Sequence, residues 1–296
     1  MLRFDGRVAL VTGAGRGLGR SHAIYLASRG AAVVVNDLGS ALDGGGTNKE
    51  PANQVVDEII KAGGRAVASF DSVTDGAQDI VQRALDTFGR LDIVVNNAGI
   101  LQETEFGPDV LAIFKRHMEV HFFGTVAVTE AAWPHLIASG CGRVVNTTSP
   151  TLMGFPGYTP YVAAKGAILA FTRNLAFEAA PLGIKINAIA PSAASRMAEG
   201  VNIAESFKEF IRTKMPAAII SPVVAYLAHE SCAVTGETLK TESGAVQRLV
   251  TGLNQGIIDE KLTPEIVAAR IAEIMDSSTH APFATVEQHD LGALGK

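Results

Sequence analysis

The sequence predicts a doubly wound α/β fold, a parallel sheet flanked by helices on both faces. Short runs of β-branched and other apolar residues recur along the chain, with helical patterns between them. These runs are almost continuously apolar rather than alternating, as expected for strands that are buried on both faces. The predicted strands are Val8–Val11, Ala32–Asn36, Ala66–Phe70, Ile93–Asn96, Arg143–Thr147 and Lys185–Ala190.

Length and composition fit one large domain with a complete core. The chain has 296 residues, of which 47% are apolar, so it can bury a full core. We predict a main domain over residues 1–250. We also predict that residues 251–296 form a helical extension packed on the same domain.

Charge and cysteine content argue against several classes of function. A formal net charge of −5 offers no excess of cationic side chains for phosphates, so nucleic acid is not an expected partner. Cys141 and Cys232 are too few for a disulfide framework, and no Cys/His cluster has zinc spacing, so no metal is expected. The chain shows neither the apolar core of a signal peptide at its start nor a run long enough to span a bilayer. We therefore predict a cytoplasmic protein without a membrane partner.

Two segments depart from the regular order of strands and helices. Residues 38–50 are rich in glycine and polar residues, and we predict a long, mobile connection there. Residues 192–222 lack a strand pattern but carry amphipathic helical stretches, which we interpret as a lid over the substrate. The apolar residues of this lid are Met197, Ile203, Phe207, Phe210 and Ile211.

The segment Leu262–Met275 predicts one further helix near the end of the chain. Thr263 is suited to the N-cap and Pro264 to the first helical position. Apolar residues at helical spacing indicate packing on the body or on another subunit. They are Ile266, Ala269, Ile271 and Ile274.

A glycine-rich turn between the first strand and the first helix predicts a nucleotide site. Gly13 allows a tight turn, Gly17 lets the backbone approach a pyrophosphate, and Gly19 allows close helix packing. The start of the helix supplies amide donors and a positive dipole. A glycine-rich turn alone is also compatible with an ordinary surface loop.

Asp37 favours NAD as the dinucleotide. It ends the second strand about 20 residues beyond the glycines, where a carboxylate accepts hydrogen bonds from the adenosine ribose and repels a 2′-phosphate. Arg16, inside the glycine turn, could instead help to bind a 2′-phosphate, so NADP stays open as an alternative. Asp37 could also be only a capping residue in the turn after the strand.

Tyr161 and Lys165 predict acid–base chemistry. They are four residues apart in a helical stretch, so they lie on one face. A neighbouring ammonium favours the phenolate, and we therefore expect Lys165 to lower the pKa of Tyr161, as a general acid or base for a carbinol proton requires. The alternative is a packed ring beside a solvated amine.

Three motifs in order resemble those of the short-chain dehydrogenase/reductase family. Thr12–Gly19 is similar to the TGxxxGxG turn, Asn96–Gly99 to the NNAG motif, and Tyr161–Lys165 to YxxxK. The resemblance covers most of residues 5 to 245. It implies a Rossmann fold, a nicotinamide cofactor, catalysis by Ser149, Tyr161 and Lys165, and a bond from Lys165 to the nicotinamide ribose. The cofactor-binding residues that it implies are Gly13, Arg16, Gly17, Leu18, Gly19, Asp37, Asp71, Ser72, Asn97, Ala98, Gly99, Tyr161, Lys165 and Pro191.

The chain departs from the family pattern at two positions. Counted from Gly142, the catalytic serine is Ser149, whereas the usual spacing back from Tyr161 gives Thr148, so both stay open with Ser149 preferred on strand geometry. Its hydroxyl would donate to the substrate oxygen. His121 stands where most members have an asparagine that connects the lysine to solvent through water. An imidazole could relay protons similarly, and a packed histidine is an equal alternative.

Narrower features resemble the (3R)-hydroxyacyl-CoA dehydrogenase module of type 2 multifunctional enzymes, also described as a 17β-hydroxysteroid dehydrogenase. They are Asn36–Gly39, Ala131–Pro134, Asn146–Pro150, Ala190–Met197 and His229–Cys232. The resemblance implies NAD-linked oxidation of the 3-hydroxyl of an acyl-CoA or steroid-like substrate. Phe155 and Tyr158, with the lid residues, indicate an apolar pocket.

Two other functions remain as alternatives to this dehydrogenase. One is an NADPH-linked ketoreductase of the same family, and the other is a nucleotide-binding scaffold without turnover, motivated by His121 and the short loop before Tyr161. Members of the family are usually dimers or tetramers, so we expect a homodimer or homotetramer. The apolar helix over residues 171–180 is the expected contact.

Overall fold

The computed structural model describes residues 1–200, 204–279 and 281–282. The chain divides into two compact units, Met1–Arg248 and Leu249–Lys296. Within the described ranges, no helix combines the length and apolar character needed to cross a membrane.

The main sheet confirms the predicted fold class. Its strands are β1 (Val8–Thr12), β2 (Ala32–Asn36), β3 (Arg65–Ser69), β4 (Ile93–Asn96), β5 (Arg143–Thr147), β6 (Lys185–Pro191), β7 (Thr238–Glu242) and β8 (Ala245–Leu249). They lie in the order β3-β2-β1-β4-β5-β6-β7-β8. The pairings from β3 across to β7 are parallel, which is the doubly wound arrangement.

The predicted strand bounds agree with the structure to within one residue. β2, β4 and β5 are as predicted, and the other three shift at one or both ends. β7, which is mostly polar, and β8 were not predicted from the sequence. A two-residue turn, Ser243–Gly244, joins them, with φ of 46° and 84°, as in a hairpin of type I′.

Helices cover both faces of the sheet. They are α1 (Gly17–Ser28), α2 (Glu50–Lys61), α3 (Ala77–Phe88), α4 (Val110–His117), α5 (Gly124–Ala138), α6 (Thr159–Ala179), α7 (Arg196–Gly200), α8 (Glu205–Lys214) and α9 (Ser221–Ala228). Alternate residues of β1 enter two separate cores, Ala9 and Val11 on one face and Val8 and Leu10 on the other. This two-sided burial explains why the strand reads as a continuous apolar run.

The strand order opens a crevice beside β1. Because β2 and β4 lie on opposite sides of β1, the connections after β1 and β4 leave in opposite directions, and ligands bind at such a switch point. Residues 38–49, which follow β2, contain no helix or strand. Their backbone is nevertheless anchored, since Leu101 N donates to Leu42 O at 2.9 Å. The predicted mobility of this connection stays a prediction.

The helix predicted in the second unit is interrupted at one residue. We expected one helix, and the structure has two, α10 (Pro264–Ala269) and α11 (Ile271–Ile274). Arg270 separates them with φ −109° and ψ 15°, a local departure that no proline or glycine marks in the sequence. The N-cap is as expected, since the Thr263 hydroxyl accepts from Ile266 N. Two short strands, β9 (Gly252–Leu253) and β10 (Ala281–Pro282), pair antiparallel.

Asp92 ties the amino ends of β1 and β4 together. Its carboxylate is fully buried and accepts from Val8 N at 2.9 Å, from Arg90 at 2.6 and 2.9 Å, and from Arg7 at 3.3 Å. A buried carboxylate of this kind is stabilising only while these donors satisfy it.

We expect Asp92→Asn to lower the free energy of unfolding by about 2 kcal/mol or more, because the charge-assisted bonds are lost and guanidinium groups remain beside a neutral amide. Urea unfolding followed by circular dichroism measures this change. Asp86→Asn is the control, since Asp86 is exposed on α3 and such a surface change costs within about 0.5 kcal/mol. Equal effects of the two substitutions would contradict the prediction.

Candidate active site

The glycine turn brings the backbone of β1 and α1 very close to the segment after β4. Gly13 and Gly17 have φ of +61° and +54°, a region that favours glycine. A Cβ on Gly13 would lie 2.8 Å from Ala98 Cα, and one on Gly19 would lie 2.2 Å from Gly13 O. Side chains at these positions would therefore displace the turn.

Thr12 and Asn97 hold this close approach in place. The Thr12 hydroxyl accepts from Asn97 N at 3.0 Å and from Ala98 N at 3.1 Å. In return, the Asn97 amide donates to the carbonyls of Thr12 and Gly13. The first two residues of the glycine turn and the NNAG segment thus form one hydrogen-bonded unit.

Asp37 connects the glycine turn to the end of β2. One carboxylate oxygen accepts from Gly15 N and the other from Gly39 N, both at 2.6 Å. Asp37 therefore has the capping role that the sequence left open, and it also lines the main cavity.

Asn36 is a positioning residue that the sequence did not reveal. Its amide donates to Asp71 O at 2.9 Å and to the Ser69 hydroxyl at 3.1 Å. These bonds fix the chain after β3, where Asp71 and Ser72 line the cavity.

The cavity at the crevice has a volume of about 800 Å³, within the range of small-molecule and cofactor sites. It collects most of the site residues that the sequence predicted. Those that line it are Gly13, Arg16, Gly17, Leu18, Asp37, Asp71, Ser72, Asn97, Ala98, Gly99, Ser149, Tyr161, Lys165 and Pro191. Gly19 and His121 lie behind the wall, in contact with residues that line it.

Tyr161 and Lys165 lie on one face of α6, with the Lys165 Nζ 5.6 Å from the centre of the Tyr161 ring. Lys165 is buried and donates to Thr147 O at 2.7 Å. Burial lowers the pKa of its amine to about 7, because the charged form loses hydration.

The expectation that Lys165 lowers the pKa of Tyr161 is wrong. Burial raises the pKa of Tyr161, and a hydrogen bond with Ser149 only partly opposes the increase. The reason is that the amine shares the same desolvated environment and itself titrates near pH 7.

Ser149 and Thr148 have different surroundings. The Thr148 hydroxyl is buried and donates to Lys165 O at 2.8 Å, so it supports α6. The Ser149 hydroxyl accepts from Thr151 N and Oγ1 at 3.2 and 2.8 Å and interacts with Tyr161. This geometry favours Ser149 over Thr148 as the group that meets a substrate oxygen.

His121 lies on a wide π-helical turn, Met118–Phe123, between α4 and α5. Its Nε2 is 2.8 Å from Ile100 O and 3.1 Å from Ile100 N. Its ring meets Tyr161 edge-on at 5.3 Å and stacks on His117 at 5.9 Å. Burial, followed by the charge of Lys165, holds the pKa of His121 well below its usual value. A neutral imidazole beside Tyr161 is compatible with packing and with proton relay.

The predicted lid contributes apolar residues to the cavity. Met197, Phe210 and Ile211 line it, together with Met215 and Phe155. Ile203 and the Phe207 side chain lie outside the described residues. Tyr158 donates from its hydroxyl to Glu103 at 3.1 Å and is not part of the cavity lining.

These features fit a bound dinucleotide. The turn at Gly13 and Gly17 leaves backbone room for a pyrophosphate, and Asp37 lies where an adenosine ribose would present its hydroxyls. Lys165 and Tyr161 mark the opposite, reactive part of the lining.

A family model described as short chain dehydrogenase matches residues 7–206. The chain belongs to this family and is an oxidoreductase. Members of the family bind a nicotinamide cofactor.

The relatives confirm the predicted branch. The peroxisomal multifunctional enzyme type 2 of Mus musculus is 41% identical over 292 residues, which cover 97% of this chain and 39% of that enzyme. The chain spans between 33% and 46% of the length of such peroxisomal enzymes from yeast, fruit fly and mouse. The names of these relatives place them in peroxisomes, so the cytoplasmic location of this chain stays a prediction.

Two solved structures share the fold. A short chain dehydrogenase from Mycobacterium avium has a TM-score of 0.78 at 38% identity, covering 96% of this chain and 98% of that chain. A 7α-hydroxysteroid dehydrogenase complexed with NADH and 7-oxo glycochenodeoxycholic acid has a TM-score of 0.74 at 29% identity, covering 83% and 96%.

The buried amine of Lys165 predicts a pH dependence of stability. Its pKa is about 7 in the folded protein against an ordinary value near 10.5. Between these values the unfolded chain binds more protons, so the free energy of unfolding rises with pH, by at most about 1.4 kcal/mol per pH unit. We expect Lys165→Met to remove this contribution between pH 7 and pH 9, as measured by urea unfolding at several pH values.

The quantity to compare is the slope of the free energy of unfolding against pH. The absolute free energy is less informative, because the substitution also removes the bond to Thr147 O. Lys61→Met removes an exposed amine at the end of α2 and serves as the control. If the slope of the Lys165→Met protein matched that of the wild type, the burial argument would fail.

Proposed function

We propose that the protein is an NAD-dependent dehydrogenase that interconverts a secondary alcohol and a ketone, with a 3-hydroxyacyl-CoA or hydroxysteroid-type substrate. The observation that carries the proposal is the shared cavity. Ser149, Tyr161 and Lys165 line the same cavity as Asp37 and the glycine turn. A dinucleotide and an alcohol can therefore meet in front of one acid–base pair.

The proposed chemistry follows from the three side chains. When bound, the nicotinamide ring supplies the acceptor for the hydride of the alcohol carbon. Ser149 donates a hydrogen bond to the substrate oxygen and steadies the charge that develops there. Tyr161 takes the hydroxyl proton in the oxidative direction and returns it in the reductive direction.

Lys165 can favour ionisation of Tyr161 only while its own amine is protonated. Because its amine titrates near pH 7, its charge changes within the operating range, and a protonated amine stabilises a nearby phenolate. His121, edge-on to Tyr161, is proposed as a relay for the proton. The equal alternative, a packed histidine, predicts that a neutral ring of similar size would preserve turnover.

Asp37 supports NAD rather than NADP. A carboxylate at the ribose end of the cavity repels a 2′-phosphate and accepts hydrogen bonds from hydroxyl groups. An NADPH-linked ketoreductase is the second candidate, because Arg16 lines the same cavity. The raised pKa of Tyr161 also suits a phenol that donates its proton to a ketone.

The apolar lining supports a lipid-like substrate. Met197, Phe210 and Ile211 from the lid face the cavity together with Leu101 and Phe155. The likeness to the multifunctional enzymes supports the acyl-CoA class. The 7-oxo glycochenodeoxycholic acid in the complex of the hydroxysteroid dehydrogenase supports the steroid class. A homodimer or homotetramer built through α6 is part of the proposal, and sedimentation velocity tests it.

We expect Tyr161→Phe to lower kcat by about two to four orders of magnitude, because general acid–base catalysis is lost. NADH production from 3-hydroxyacyl-CoAs of increasing length, free hydroxysteroids and simple secondary alcohols is the assay. Tyr226→Phe is the control, since Tyr226 lies on α9 and does not line the cavity. Full activity of the Tyr161→Phe protein would refute the assignment, as would a wild-type protein that binds NAD but converts none of these substrates.

We expect Asp37→Asn to shift the preference from NAD toward NADP by about ten- to a hundredfold, because the repulsion of a 2′-phosphate is removed. Dissociation constants for NADH and NADPH from fluorescence titration measure the preference. Asp43→Asn is a matched control, because Asp43 also accepts from the amide two residues ahead, Gly45 N, but does not line the cavity. An unchanged preference would show that Asp37 acts only as a cap.

A further inference from the structure

Arg196 lies next to a residue that approaches the glycine turn. It is the first residue of α7 and lines the cavity. Its neighbour Ser195 has its Cβ 3.7 Å from the position of a Cβ on Gly17. The guanidinium donates to Ser40 O at 3.4 Å, so Arg196 joins the start of α7 to the connection after β2.

The charges around Arg196 leave an excess of positive charge. Partial burial and then the charge of Arg16 lower the pKa of Arg196, and Asp37 opposes this. Asp37 already accepts from Gly15 N and Gly39 N. Two guanidinium groups therefore share one carboxylate whose oxygens are partly used by backbone amides.

Arg212 provides a contrast within the same lobe, the described residues between Ala194 and Met215. It forms ion pairs with Glu199, Glu205 and Glu209 at 2.7 to 3.1 Å. Within the described residues, Arg196 has no carboxylate at ion-pair distance. Its donors point to a ligand that is an anion.

We infer that Arg196, together with Arg16, binds a phosphate group of the dinucleotide. This inference rests on the proposed function. Guanidinium groups suit phosphate because their planar donors match its oxygens. The pyrophosphate is the favoured source, since Gly17 lies beside Ser195 and Asp37 repels a 2′-phosphate.

The lobe that carries Arg196 gives this contact a consequence for the substrate side. Ala194 N donates to Met215 O at 2.7 Å, which closes the lobe at its base. Arg212 joins α7 to α8 through Glu199. A phosphate held by Arg196 therefore holds the lobe whose Phe210 and Ile211 line the cavity.

The test compares NADH and NADPH binding by nicotinamide fluorescence, with adenosine as a competitor that lacks phosphate. We expect Arg196→Gln to weaken NADH binding about tenfold, and less at high salt because the contact is exposed. Adenosine competition stays as in the wild type. Arg196→Lys retains part of the affinity. Arg20→Gln is the matched control, since Arg20 lies on α1, pairs with Glu58 and does not line the cavity.

The comparison of NADH with NADPH identifies which phosphate group Arg196 contacts. Equal losses for NADH and NADPH support the pyrophosphate, and a loss confined to NADPH supports the 2′-phosphate. The inference would be overturned if the dissociation constants of the Arg196→Gln protein for NADH and NADPH both stayed within about twofold of the wild-type values. It would also be overturned if adenosine lost as much affinity as the dinucleotides. Because binding is measured without turnover, a protein that binds NADH through Arg196 but oxidises no alcohol would refute only the proposed function.

Discussion

The close approach of the backbone after β1 and β4 is the constraint on which the site depends. Thr12 and Asn97 exchange hydrogen bonds across it, and Gly13 and Gly19 leave no room for side chains. This contact fixes the start of α1, to which Asp37 bonds at Gly15. It also fixes Gly99, where a Cβ would lie 2.4 Å from His121. One packing contact thus determines both ends of the cavity.

Buried polar groups accumulate in and behind the reactive part of the cavity. Lys165, His117 and His121 are all buried, and desolvation lowers the pKa of each. His121 Nδ1 and the Thr147 hydroxyl have no hydrogen-bond partner within the described part of the chain. Burial of such groups lowers stability, so a region selected for stability alone would not retain them. Their position beside Tyr161 is consistent with the function that we propose.

The sequence was sufficient for six of the eight strands of the main sheet and for predicting residues that the structure brings together in one cavity, because both depend on local patterns. Apolar runs give β1 to β6, and fixed spacings give the glycine turn and Tyr161 with Lys165. β7 was missed because Thr238, Lys240 and Glu242 are polar. The predicted direction of the shift in the pKa of Tyr161 was wrong, because spacing shows which groups are neighbours but not how strongly they are desolvated. Asn36 and Arg196 were missed because their roles depend on contacts with distant segments.

The lobe after β6 links the two halves of the proposed site through one short segment of chain. It begins beside the glycine turn at Ser195 and returns to Met215 at its base. In the proposed site, the arginine at one end of the lobe would contact a phosphate, and the apolar side chains at the other end would contact a hydrophobic substrate. Arg212 donates to both carboxylate oxygens of Glu199 at 2.7 Å, so a side-chain ion pair joins α7 to α8 between the two ends of the lobe.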